Sequence, residues 1–116
     1  MTTDAHAVVF PGQGSQKPGM GLDFAREYPE AREVFEEASE ALGFDVFELC
    51  RGEDGRLDLT AYTQPPLVTA ETAMLRALGA RGELSATIFG GHSLGEYTAL
   101  VAAGAMPLDV ALKLVR

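Results

Sequence analysis

The 116-residue sequence contains a single cysteine, Cys50. One thiol excludes an internal disulfide and any cysteine-based zinc site, and it suits a reducing compartment. Basic residues are also scarce. Nine Lys and Arg stand against 17 Asp and Glu, for a net charge of −8 and a pI near 4.6. A nucleic-acid or anionic-membrane surface needs clustered cations, so neither partner is expected. Long hydrophobic runs are missing too. The longest stretch without a polar side chain, residues 99–108, is about half of the roughly 20 residues a membrane span requires. The opening Met1-Thr2-Thr3-Asp4 has no basic cluster and no apolar stretch. No signal peptide is expected, and a cytoplasmic location follows.

What is present describes a soluble globular chain, with 47% hydrophobic and 22% charged residues. A chain of this length buries roughly two thirds of its extended surface, enough for one core. The charge is uneven. Residues 1–58 hold 13 acids and 5 bases, whereas residues 59–116 hold 4 of each. An acidic partner should therefore avoid the first half.

Along the chain, Ala7-Val8-Val9-Phe10 reads as a buried strand stopped by Pro11-Gly12. A glycine-rich loop follows through residue 19. Ala31, Val34, Phe35, Ala38, Ala41 and Leu42 fall on one face of an acidic helix, with the Glu residues facing water and Gly43 as C-cap. Residues 44–49 suggest a short helical turn and residues 52–58 a polar turn. Thr63-Gln64-Pro65-Pro66 predicts a helix start with Thr63 near the cap. Leu67, Ala70, Met74, Ala77 and Leu78 form its buried stripe, and Gly79 and Gly82 end it. Residues 84–89 read as a second buried strand, followed by a helix over residues 94–103. Pro107 starts another, with Leu108, Ala111, Leu112 and Val115 on one face. Strand, helices, strand, helix, helix is an α/β order. Two short strands cannot build a doubly covered sheet, so the chain reads as the first part of a longer protein.

The strongest chemical signal is Gly91-His92-Ser93-Leu94-Gly95, a G-x-S-x-G sequence between the second strand and a helix. A tight strand-to-helix turn brings backbone against backbone, so both glycines are needed. The turn projects the Ser93 hydroxyl outward, and the Leu94 N–H can face a developing oxyanion. The bland alternative is a glycine-rich turn whose serine caps a helix. A second signal, Gly12-Gln13-Gly14-Ser15-Gln16, can hold a phosphate or offer one N–H to an oxyanion, but it matches neither the P-loop nor the full dinucleotide fingerprint.

Together, Phe10-Pro11-Gly12-Gln13-Gly14-Ser15-Gln16, Thr63-Gln64-Pro65 and Gly91-His92-Ser93-Leu94-Gly95-Glu96-Tyr97 closely resemble the malonyl-CoA:acyl-carrier-protein transacylases of fatty-acid synthesis. Those enzymes are related to the acyltransferase domains of polyketide synthases. The resemblance runs the length of the chain. It implies an α/β-hydrolase-like acyltransferase fold, with residues 1–116 forming the N-terminal part of its catalytic domain and the family's ferredoxin-like subdomain missing. It also implies that Ser93 attacks a malonyl thioester and that a carrier protein's phosphopantetheine thiol collects the acyl group, with no bound cofactor. The oxyanion hole is then the N–H of Gln13 with that of Leu94, and Gln64 borders the pocket.

The family's base histidine and its carboxylate-binding arginine have no counterpart within these residues. His6 reads as a surface residue. His92 adjoins the nucleophile, but adjacent side chains diverge on an elbow, so it reads as support for the turn. Glu96 reads as an ordinary first-turn acid, and Tyr97, Met20, Met74, Met106 and Cys50 as packing. The chain alone is thus expected to need the remainder of the acyltransferase for turnover. The rival readings are an acyl-thioester hydrolase on the same scaffold and a non-catalytic fragment.

Overall fold

The computed structural model describes residues 7–12, 14–53, 55–80 and 88–116. Strand β1 (Ala7–Phe10) leads through the glycine-rich loop to helices α1 (Leu22–Glu27), α2 (Pro29–Leu42) and α3 (Val46–Arg51). A 3-10 turn (Arg56–Asp58) precedes the long helix α4 (Thr60–Ala80). Strand β2 (Ile88–Gly91), α5 (Gly95–Ala102) and α6 (Leu108–Val115) complete the order. The two strands pair in parallel, with Ala7 opposite Ile88 and Phe10 opposite Gly91. A parallel pair needs a crossover connection, here supplied by the helices between them. The architecture is α/β, as the order of elements predicts.

The core lies between α2, α4 and α6. Helix α2 buries Ala31, Val34, Phe35, Ala38 and Leu42, the predicted stripe, and leaves Glu33, Glu36, Glu37 and Glu40 exposed. Only Ala41 is half-buried. Gly43 ends the helix in the left-handed region at φ 79°, as a C-cap glycine does. Asp45 caps α3, its Oδ1 accepting from the N–H groups of Phe47 and Glu48 at 2.9 and 3.3 Å. Phe35 and Phe47 stack with centroids 4.9 Å apart. Cys50 is fully buried. Burial, helped by the charge of Asp45, pushes its thiol up to about 12, so it stays neutral and inert. Leu108, Ala111, Leu112 and Val115 of α6 all face the core.

Two expectations need correction. First, the strands are not buried on both faces. Phe10 is buried, but Val9 is 75% exposed and Ala7 is exposed. Alternate strand residues face opposite sides, and among the described residues the helices do not cover both sides of this two-stranded sheet.

Second, α4 begins at Thr60, before the predicted start, so Pro65 and Pro66 lie inside the helix. Each proline removes an N–H that the helix would otherwise bond. Thr63 does not cap by accepting N–H bonds. Its hydroxyl donates to the carbonyl oxygens of Leu57 and Leu59, tying the helix entry to the 3-10 turn. Thr69 Oγ1 donates to the Pro65 carbonyl at 2.8 Å. The helix also runs through Gly79 to Ala80. Gly82, the other predicted stop, lies outside the described residues, as does most of the predicted second strand.

Thr63, Val68, Thr69 and Ala73 of α4 are fully buried. Helix α4 is therefore a central helix packed on several sides, more than a one-sided stripe predicts. Among the described residues, no helix is long and apolar enough to cross a membrane, and no cluster of three His, Cys, Asp or Glu could hold a metal.

Candidate active site at the β2–α5 elbow

Strand β2 ends at Gly91 and α5 begins at Gly95, so three residues make the turn. Ser93 sits at φ 55°, the one non-glycine residue with positive φ among the described residues. A non-glycine residue in the left-handed region costs of order 1 kcal/mol or more and persists only where its surroundings impose it. The surroundings here are backbone. A Cβ on Gly91 would overlap the carbonyl group of Gly95 and the nitrogen of Glu96. A Cβ on Gly95 would overlap the Phe10 carbonyl oxygen and lie 3.0 Å from that of Pro11. A Cβ on Gly12 would lie 2.7 Å from the His92 carbonyl oxygen. The elbow is thus clamped between its own helix and the end of β1, and only glycine fits at these contacts.

Backbone hydrogen bonds complete the turn. His92 N–H donates to the Phe10 carbonyl, continuing the sheet, and Gly95 N–H donates to the His92 carbonyl, each at 3.0 Å. Glu96 and Tyr97 N–H donate to the Ser93 and Leu94 carbonyls at 3.0 Å, which starts α5. Ser93 is left exposed at the tip, while the Leu94 side chain is buried. Among the described residues no acceptor takes the Leu94 N–H. Among the described residues it is an unbonded helix N-terminal donor next to Ser93 in the chain, the arrangement an oxyanion site uses.

The other predicted residues stand as follows. Gln13 and His6 lie outside the described residues. The flanking Gly12 packs on the elbow, which brings the glycine-rich loop and Ser93 together. Ser15 and Gln16 turn back on that loop, Ser15 Oγ donating to the Gly12 carbonyl and Gln16 Oε1 accepting from Gly14 N–H, both at 2.7 Å. The His92 ring is exposed and makes no hydrogen bond to Ser93 among the described residues. His92 supports the turn through the hydrogen bonds of its backbone N–H and carbonyl. Gln64 is half-buried in the second turn of α4. Glu96 is exposed in the first turn of α5, and Tyr97 packs against the core.

One site group escapes the sequence reading. Glu71 of α4 is only 6% exposed, and its Oε1 accepts the hydroxyl of Thr98 from α5 at 2.7 Å. Its other oxygen is buried without a hydrogen-bond partner among the described residues. Glu71 also lines an open cavity of about 280 Å³ with Phe10, Pro11, Ser15, Met20 and Leu67. Burial raises its carboxyl to about 7, partly opposed by the Thr98 hydrogen bond. The available signal was a lone carboxyl in residues 61–75, which carry no other charge.

A folded pKa above the unfolded value means the native state holds the proton more tightly. Stability from this group is therefore fully present below about pH 4.5 and declines as pH rises to about 7, where the loss levels off. Glu71→Gln should remove about 3 kcal/mol of that decline. Urea unfolding of both proteins at pH 4.5 and 7.5 measures it, and equal pH slopes would contradict a carboxyl buried in this way.

The fold and the elbow define an α/β protein that presents a serine at a strand-to-helix turn. The family model described as acyl transferase domain matches residues 7–116, and the chain belongs to that family. The malonyl CoA-acyl carrier protein transacylase of Escherichia coli strain K12 is 47% identical over 110 residues, 94% of this chain and 36% of that protein. The crystal structure of the Clostridium perfringens enzyme of the same name superposes with a TM-score of 0.92 at 42% identity, over 97% of this chain and 35% of its own. A malonyl-transacylase solved in complex with a type II polyketide acyl-carrier protein superposes at 0.89 with 42% identity, over 97% and 37%. The chain thus spans about a third of the length of the relatives it matches.

Proposed function

We propose that this chain supplies the nucleophile and oxyanion donors of a malonyl-CoA:acyl-carrier-protein transacylase. The observation that carries the reading is the exposed Ser93 on a backbone-clamped elbow beside the free Leu94 N–H, in a chain nearly half identical to such an enzyme. Ser93 Oγ attacks the malonyl thioester carbonyl, and its proton passes to a base. The tetrahedral oxyanion is held by the N–H groups of Leu94 and Gln13. The C–S bond then breaks, coenzyme A leaves as the thiol after taking a proton, and malonyl-serine remains. The phosphopantetheine thiol of the carrier protein attacks that ester and regenerates Ser93.

The base is not assigned to His92, whose exposed ring makes no hydrogen bond to Ser93 among the described residues. It belongs to sequence outside these residues, as do the carboxylate-binding group and the ferredoxin-like subdomain. Parallel β1 and β2 with the elbow at the end of β2 support the α/β-hydrolase-like arrangement. A carrier protein of acidic surface docks away from α2, where Glu33, Glu36, Glu37 and Glu40 are exposed.

The experiment is to incubate the full-length protein with malonyl-CoA and follow the intact mass, then add phosphopantetheinylated carrier protein. A malonyl adduct that is discharged to the carrier supports transfer. An adduct discharged only to water points to the hydrolase. A sharper test separates amide from side chain at Gln13. Gln13→Ala keeps the N–H and should keep most activity, while Gln13→Pro removes it and should lose roughly a hundredfold. Equal, severe losses in both variants would assign the role to the side chain.

A further inference from the structure

The placement of α5 decides where the Ser93 hydroxyl and the Leu94 N–H point. On one side the helix is set by backbone contact, where Gly95 presses on the carbonyls of Phe10 and Pro11. On the other side the described residues supply a single side-chain hydrogen bond, from Thr98 Oγ1 to Glu71 Oε1. Thr98 lies three residues beyond Gly95, on the same face one turn along, and is fully buried. Its partner is buried on α4, a central helix that packs on α2, α5 and α6 and does not shift easily. The glycine contact constrains the start of α5; apolar packing of Leu94, Tyr97 and Val101 and the directional Thr98–Glu71 bond hold the rest of it.

We propose that Glu71 is a positioning residue of the acyl-transfer site: by accepting the Thr98 hydroxyl it sets the orientation of α5, and with it the Ser93 hydroxyl and the Leu94 N–H. This rests on the reading of Ser93 as nucleophile. A carboxyl buried with one unpartnered oxygen costs stability, and a hydrophobic residue would pack α4 against α5 at less cost. The strong acceptor contributes direction. A hydrogen bond fixes an angle that apolar contact leaves loose, and a misplacement of about 1 Å at a reacting group costs up to about a hundredfold in rate. Among the described residues, the cavity beside Glu71 is walled by Phe10, Pro11, Ser15, Leu67 and other neutral side chains, and no charged group contributes to its titration.

The test uses the full-length protein and single-turnover acylation by malonyl-CoA, with thermal unfolding measured alongside. Thr98→Val keeps the shape and removes the donor. It should slow acylation at saturating malonyl-CoA about tenfold or more, with half-saturation unchanged and the protein folded at the assay temperature. Thr98→Ser restores the donor and should recover at least half the rate. Glu71→Gln keeps a neutral acceptor and should stay within about threefold of wild type, whereas Glu71→Leu should match Thr98→Val. If Glu71→Leu does not fold, the two Thr98 variants decide alone. A Thr98→Val protein that acylates at the wild-type rate, or a Thr98→Ser protein no faster than Thr98→Val, overturns the proposal. Ser93→Ala is assayed in parallel. If it is acylated like wild type, the nucleophile reading fails and the clamp falls with it, an outcome distinct from a normal rate in the Thr98 variants.

Discussion

Ser93→Ala should leave no malonyl adduct and reduce carrier-protein malonylation by at least about four orders of magnitude. The substitution is clean because alanine keeps the Cβ. The elbow at φ 55° is equally strained with either residue, and the glycine contacts that impose it involve only backbone. What disappears is the oxygen that attacks the thioester. A companion variant separates chemistry from folding. Ser93→Gly also removes the nucleophile, but it relieves the left-handed strain, so it should be inactive and more stable by about 1 kcal/mol. Intact mass after malonyl-CoA incubation and urea unfolding check the two parts. An adduct of undiminished yield on Ser93→Ala would place the acyl group elsewhere. A Ser93→Gly protein less stable than wild type would mean the serine is held for structure.

The second large effect belongs to Gly95. Its would-be Cβ overlaps the Phe10 carbonyl oxygen and lies 2.8 Å from that carbonyl's carbon. Those atoms are backbone of β1, and the same oxygen accepts the His92 N–H, so they cannot swing aside as a side chain would. Gly95→Ala must push α5 off the end of β1, moving Ser93 and the Leu94 N–H together. A loss of about 2–3 kcal/mol is expected from overpacking, with acylation falling at least about a hundredfold in protein that remains folded. Gly79→Ala is the control. It lies within α4 with nothing within 4 Å of an added Cβ, so it should stabilise by up to about 1 kcal/mol. If Gly95→Ala behaved like Gly79→Ala, the elbow would have to be looser than these contacts allow.

Much of this was legible in residue order because it depends on local rules. The stripe of Ala31, Val34, Phe35, Ala38 and Leu42 follows helical periodicity, and Gly43 stops it for a reason internal to the backbone. The elbow was legible for the same kind of reason. A G-x-S-x-G sequence between a β-run and a helical run states a local geometry, and the three-residue turn between β2 and α5 has it.

The start of α4 was misread because Pro65 and Pro66 look like first-turn residues. The helix nonetheless starts earlier, where Thr63 ties its entry to the preceding turn by donating to the carbonyls of Leu57 and Leu59. Strand burial was misread because an apolar tetrapeptide does not say which layers cover it, and Val9 is 75% exposed.

By itself, then, the sequence determined most of the elements, the α/β order, the acidic face of α2 and the identity of the candidate nucleophile, because periodicity, capping and turn chemistry act within a few residues. The tertiary structure alone decided what crosses between elements. It put the carbonyls of Phe10 and Pro11 against Gly95, left the His92 ring exposed to solvent, and joined Glu71 to Thr98 across 27 residues of sequence. Those contacts depend on how α4, α5 and β1 pack. Packing is set by the simultaneous burial of many side chains, which no single stretch of residues encodes.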